Sequence, residues 1–77
     1  MPTVHREGPF RFVIWPNDHR PPHVHVYNSD GKCIVDIESG SVRNLRGMRL
    51  PDALAAGAIV NRCQEMLLAE WREIHGV

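Results

Sequence analysis

Apolar and polar residues alternate through the first half of the chain, and the apolar spacing lengthens to three and four residues after position 51. Phe10-Arg11-Phe12-Val13-Ile14-Trp15 is aromatic and β-branched, sets Phe10, Phe12 and Ile14 on one side, and is bounded by Gly8-Pro9 and Pro16-Asn17-Asp18. It predicts a first strand. The stretch 16–22 is too rich in turn residues to continue a ladder, so it predicts a loop that carries Asp18 and His19. Residues 23–28 and 32–38 predict the second and third strands, joined across Asp30-Gly31, a dipeptide suited to a two-residue type I′ hairpin turn. Ser39-Gly40 predicts a second tight turn and a short return strand over 41–45.

The Asp-Gly turn implies a register. With Ser29 opposite Lys32, Val26 meets Val35, Val24 meets Ile37, His25 meets Asp36 and His23 meets Glu38. Each valine then has an apolar partner and each histidine a carboxylate, a match that a one-residue slip would destroy. The second turn adds Arg43 beside Asp36, which predicts a row of His25, Asp36 and Arg43 across three strands.

Pro51 and Asp52 suit the start of a helix, and Ala56, Val60, Cys63, Leu67, Trp71 and Ile74 form one apolar stripe from there to about His75, before a stop at Gly76. Gly57 weakens the early helix or lets it pack closely against something. The pattern predicts one α+β domain over residues 1–77: a small antiparallel sheet of three to four strands, β-β-β-(β)-α, covered on one face by the C-terminal helix. The other face carries His23, His25, Tyr27, Asp36 and Arg43, and has no cover from this chain; solvent or a homodimer partner would meet it.

Composition narrows the function classes. Nine basic and nine acidic residues leave no net charge, so binding to nucleic acid or an acidic membrane would have to be local. No apolar run approaches the ~20 residues needed to span a bilayer, and the N-terminus lacks an apolar signal core, so the expectation is a cytoplasmic protein with no membrane partner. Cys33 and Cys63 lie far apart in apolar segments and read as reduced core thiols.

Chemistry concentrates in Asp18-His19-Arg20-Pro21-Pro22-His23-Val24-His25-Val26, which holds three of the five histidines. The double proline stiffens the lead into the strand, and alternation then sends His23 and His25 to one face and Val24 and Val26 to the other. This string, with Met1-Pro2-Thr3-Val4-His5 and Arg11-Phe12, resembles the small bacterial domain of unknown function 4160 family, over nearly the whole chain through Trp71. Leu50 departs from the serine that the resemblance leads one to expect before the helix proline. The resemblance implies a small cytosolic toxin-like component of a type II toxin–antitoxin pair, with a cognate small protein of the domain of unknown function 2442 family as partner.

Three chemistries suit the histidine face. His23 and His25, about 7 Å apart on a strand, could chelate a divalent transition metal with His19, Asp36 or His5 as a third ligand, although H-x-H by itself does not favour a metal or any other cofactor. A metal-independent ribonuclease would use His23 or His25 as acid or base, oriented by Asp36, with Arg43 or Arg11 stabilising phosphate charge and RNA as substrate. The third is a partner-facing surface of cross-strand pairs, in which Asp18, His19, Arg11 and Tyr27 also contact partner or substrate. Arg43, Arg46 and Arg49 read either as phosphate contacts or as a solvated segment. The principal expectation is protein binding within a toxin–antitoxin pair; the enzyme and the metal site are the alternatives.

Overall fold

Strand formation begins earlier in the chain than the pattern predicts. The computed structural model describes residues 3–76. Strands β1 (Thr3–Glu7), β2 (Phe10–Val13), β3 (His23–Tyr27), β4 (Lys32–Asp36) and β5 (Val42–Arg46) form one antiparallel sheet in chain order, followed by helices α1 (Leu50–Arg62) and α2 (Gln64–His75). The α+β class is as expected, with five strands instead of three or four. The added strand is β1. Gly8-Pro9, expected only to bound the first strand, is itself the two-residue loop of a hairpin that closes on Glu7 opposite Phe10. Gly8 takes φ +55° there, at a loop position where positive φ favours glycine.

The β3–β4 register is shifted by two residues from the expected one. His23 pairs with Asp36, Val24 with Val35, His25 with Ile34 and Val26 with Cys33. A two-residue shift preserves every side chain's face, so apolar matching across the strands does not distinguish the two registers. The turn does. The Asn28 side-chain oxygen accepts from the amides of Asp30 and Gly31, both at 2.9 Å, and the Asn28 amide donates to the Gly31 carbonyl at 3.0 Å. Ser29 and Asp30 are therefore the loop residues. Gly31 has a different reason to be glycine: a Cβ there would lie 2.1 Å from the Arg46 carbonyl oxygen, where the chain leaving β5 crosses the hairpin.

The second turn is likewise wider than Ser39-Gly40. Asp36 and Ser41 close it through a 3.0 Å bond, leaving four residues between them, with Gly40 at φ +75°. Ile37, expected in a ladder opposite Val24, is fully buried in this loop, and the Gln64 amide donates to the carbonyls of Ile37 and Glu38 at 3.0 and 2.8 Å. The side-chain amide satisfies backbone acceptors that a ladder would otherwise have paired. The predicted row of His25, Asp36 and Arg43 becomes His25, Ile34 and Arg43.

The stripe beyond residue 51 covers the valine face as expected, but as two helical pieces. Cys63 takes φ −98°, ψ 18° between them, while the bonding carries through from the Cys63 amide to Ile59 and from the Leu67 amide to Cys63. Leu50 and not Pro51 is the first helical residue, after Arg49 with no side-chain cap. Gly57 packs closely, the second of the two expectations: it is buried, and a Cβ there would lie 3.0 Å from the Gly40 carbonyl oxygen. Gly76 ends α2 with φ 70°, in the left-handed region. Phe12, Val24, Val26, Val35, Val60 and Leu67 are fully buried between sheet and helices, each worth roughly 1.5–3 kcal/mol of burial for side chains of this kind. No helix among the described residues is long and apolar enough to cross a membrane. Met1 and Pro2 of the N-terminal string lie outside the described residues.

Candidate functional site

The loop between β2 and β3 folds back over the histidine face and delivers a carboxylate to it. The Asp18 amide donates to the Trp15 carbonyl at 3.1 Å, and the Trp15 amide donates to Asp18 Oδ2 at 3.0 Å, so one turn holds both the backbone and the side chain of Asp18. Beyond it, Pro21 and Pro22 lead into β3, and the Ile37 amide donates to the Pro22 carbonyl at 3.0 Å. This tie sets the position at which His23 enters the sheet.

His23 and His25 both turn Nε2 toward Asp18. His25 Nε2 lies 3.2 Å from Asp18 Oδ2 and 3.3 Å from Oδ1; His23 Nε2 lies 3.6 Å from Oδ2. His23 Nδ1 donates to the Pro21 carbonyl at 2.8 Å. That bond places a proton on Nδ1 and leaves Nε2, in a neutral ring, with its lone pair facing an anionic oxygen. In that neutral form two acceptors face each other without a donor, a contact that either a proton on Nε2 or a metal cation between them resolves.

The spacing suits such a cation. Ligand atoms bound tetrahedrally at 2.0–2.1 Å stand about 3.3 Å from one another, and 3.2 and 3.6 Å bracket that value. One ligand atom from each of Asp18, His23 and His25 lies within 4.8 Å of the others. A contrasting cluster, His5, Glu7 and Cys63, meets the same proximity on the core side of the sheet. There His5 Nε2 is 2.9 Å from Glu7 Oε1, an ordinary hydrogen bond, and Arg62 pairs with the other carboxylate oxygen. Hydrogen bonds to His5 and Arg62 lower the Glu7 pKa. That cluster is accounted for without a metal.

An outer layer supports the triad. His23 is 7% exposed, and its ring packs 5.3 Å from those of His25 and Trp71. His75, in the last turn of α2, stacks on Trp71 at 3.8 Å and sets Nε2 3.1 Å from the Asp18 carbonyl and Nδ1 2.9 Å from the Trp71 carbonyl. In its imidazolium form the ring donates to both. The histidine face is thus not an open surface where β3 begins: the loop covers it and α2 braces the loop. Val13, paired with His25, is fully buried on that face.

A cavity of ≈ 500 Å³ opens above the triad, and His19, Arg20, Ile34 and Arg43 share its lining with Asp18, His23 and His25. Asp36 sits beside His23 on β4 but pairs with Arg43 at 3.2 Å, so it orients neither histidine. Of the third ligands expected for a metal, neither Asp36 nor His5 joins His23 and His25; His19 reaches only the cavity lining, and Asp18 takes the place. Arg11 and Tyr27 form a separate contact, guanidinium over ring at 5.1 Å, farther along the sheet. In sequence Asp18 reads as a turn residue and a partner or substrate contact but not as a ligand, because nothing local tells that its loop returns over β3. His75 carries no sequence signal beyond its place at a helix end.

The family model described as Domain of unknown function (DUF4160) matches residues 10–72, from the first residue of β2 into α2. No curated protein and no solved structure matches the chain.

Proposed function

The chain belongs to the DUF4160 family, and on that premise we propose that it is a transition-metal-binding protein with a hydrolytic centre built from Asp18, His23 and His25. The observation that carries this reading is the approach of two Nε2 atoms to one carboxylate oxygen, at 3.2 and 3.6 Å, with the outer nitrogen of His23 held by a carbonyl. Two histidines and a carboxylate suit zinc and related divalent ions, and three protein ligands leave a coordination position for water or substrate. The cavity above the triad gives that position access, and Arg20 and Arg43 on its lining favour an anionic substrate. An ion bound there supplies Lewis-acid chemistry for hydrolysis.

A second reading, metal-free acid–base catalysis, is favoured by the 3.2 Å His25–Asp18 contact, in which Asp18 instead of Asp36 would orient the base. Either chemistry would serve the toxin-like role that the family resemblance implies. The cognate protein would then bind on exposed surface such as β5, whose outer residues run along the sheet edge.

Zinc titration by calorimetry of untagged, chelator-treated protein separates the readings. The expected result is one ion per chain for the native protein and no binding for the His23→Gln/His25→Gln variant. Absence of stoichiometric binding to the folded native protein, or equal binding by the variant, overturns the metal centre.

A further inference from the structure

A second cavity adjoins the one above the triad. It measures ≈ 610 Å³ and is lined by Pro21, Pro22, Leu68 and Trp71 with Arg20, Arg72 and Glu38. Arg20 and Pro21 line both cavities, so the two meet across the Arg20–Pro21 step. Three arginines mark the combined track: Arg43 in the triad cavity, Arg20 at the junction and Arg72 beyond it. The acidic groups near them are Glu38 in the second cavity, Asp18 in the first, whose charge the bound ion would offset, and Asp36, which is paired with Arg43.

The chemistry of the two cavities differs. Around the triad it is polar, with ligand atoms and guanidinium groups. Across Arg20 it is an apolar channel of proline, leucine and tryptophan edged by charge. A ligand that fills both must be extended, carry anionic groups at intervals, and present flat apolar groups between them. Single-stranded nucleic acid has that composition. Its phosphates suit the arginines, and its unpaired bases supply apolar surface for a groove such as this one. A peptide of acidic residues alone matches the arginines but offers nothing suited to the Pro21, Pro22 and Leu68 wall, and paired bases in a duplex are not free to enter it.

We infer that the substrate of the proposed metal centre is a single-stranded oligonucleotide, lying across Arg20 with one phosphodiester at Asp18, His23 and His25 and the neighbouring base in the Pro21–Leu68–Trp71 groove. This rests on the hydrolytic reading of the triad. In the reaction, water adds its oxygen to phosphorus and gives up a proton, the P–O bond to the leaving oxygen breaks, and that oxygen takes up the proton the water released. The arginines and the apolar wall add grip beyond the ion's own contact with the phosphodiester, so part of the binding is separable from the ion.

The test measures fluorescence anisotropy of labelled adenosine hexanucleotides, as RNA and as DNA, against a duplex and a hexaglutamate peptide, with native protein, Arg20→Gln, Arg72→Gln and the metal-deficient His23→Gln/His25→Gln variant. Both single strands should bind the native protein more tightly than duplex or peptide, and a preference between them assigns the sugar. Each arginine variant should lose about tenfold or more in affinity, as charged hydrogen bonds commonly cost, while zinc binding is retained. Two phosphate contacts, at Arg20 and Arg72, with Arg43 held by Asp36, predict a slope of about −1.4 for log K against log salt. The metal-deficient variant should still bind the single strand and fail to cleave it. Oligonucleotide binding equal to that of the peptide, or unchanged in both arginine variants, overturns the inference. Zinc uptake with no strand binding overturns it alone; strand binding with no zinc uptake overturns the metal centre and leaves the strand-binding track standing.

Discussion

His23 Nε2 stands 3.6 Å from Asp18 Oδ2, beyond hydrogen-bond reach, while its Nδ1 is held by the Pro21 carbonyl at 2.8 Å. An imidazole aimed by a bond on its far nitrogen, at a carboxylate it does not touch, is the arrangement of a metal ligand with its outer partner. Asp18→Asn keeps the shape of the side chain and removes its charge. It should weaken zinc binding by more than the roughly 10–100-fold that loss of an outer-shell partner costs, as read by calorimetry. Unchanged zinc affinity would show that Asp18 is not a ligand.

His75 offers the complementary test. It touches neither histidine of the triad, but it ties α2 to the Asp18 carbonyl and stacks on Trp71, which packs on His23. His75→Ala should lower zinc affinity by about 10–100-fold through the loosened loop. Losing the stack should lower stability by about 0.5–1.5 kcal/mol. The two are read separately, by zinc titration and by urea unfolding of the metal-free protein. A loss of stability with no change in zinc affinity would reduce His75 to a packing residue.

The fold was legible where periodicity carries it and obscure where a turn decides. Alternation located β2 to β4, the Ser39-Gly40 turn signal brought back β5 though the turn is wider, and the stripe from Ala56 to Ile74 located the helical layer. The β3–β4 register was not legible because valines and histidines keep their faces under a two-residue shift, so the Asp30-Gly31 signal was left to choose, and it chose the wrong loop. Gly31 is glycine because β5's exit crosses it, a tertiary contact that its neighbours in sequence do not encode. The same limit applies to the site. His23 and His25 were visible as a pair, but their partner was sought on the next strand, at Asp36, when Asp18 arrives from the preceding loop. His75 lies 57 residues from Asp18, and no spacing rule spans that distance.

Gly31→Ala tests the crossing. The added Cβ would lie 2.1 Å from the Arg46 carbonyl oxygen and 2.5 Å from the Met48 amide nitrogen, both backbone atoms that give way only if the β5 exit moves. Destabilisation toward the upper end of roughly 1–3 kcal/mol is expected in urea unfolding. Gly8→Ala is the control: no atom lies within 4 Å of its Cβ, so its cost is that of a positive φ alone, roughly 1–2 kcal/mol. If Gly31→Ala is harmless, the close crossing of the β5 exit over Gly31 is overturned.

The two thiols should behave differently toward reagent and toward alkali. Cys33 is 1% exposed in the core, and burial raises its pKa from 9.0 to about 11; Cys63 is partly exposed beside His5, at 3.9 Å. A thiol reagent should therefore modify Cys63 in the folded protein and reach Cys33 only on unfolding. Between pH 9 and about 11 the unfolded chain releases the Cys33 proton while the folded one keeps it. Folding then holds more protons than unfolding, so this contribution is constant below pH 9 and falls as pH rises through the window. A shift of about two units corresponds to roughly 3 kcal/mol. Urea unfolding at pH 8 and pH 10.5, still below the folded pKa, should show about 2 kcal/mol of this loss in the native protein and in Cys63→Ala, and a smaller one in Cys33→Ala, whose lower starting stability reflects the cavity left behind. An equal alkaline loss in both variants would show that its source is not the buried thiol.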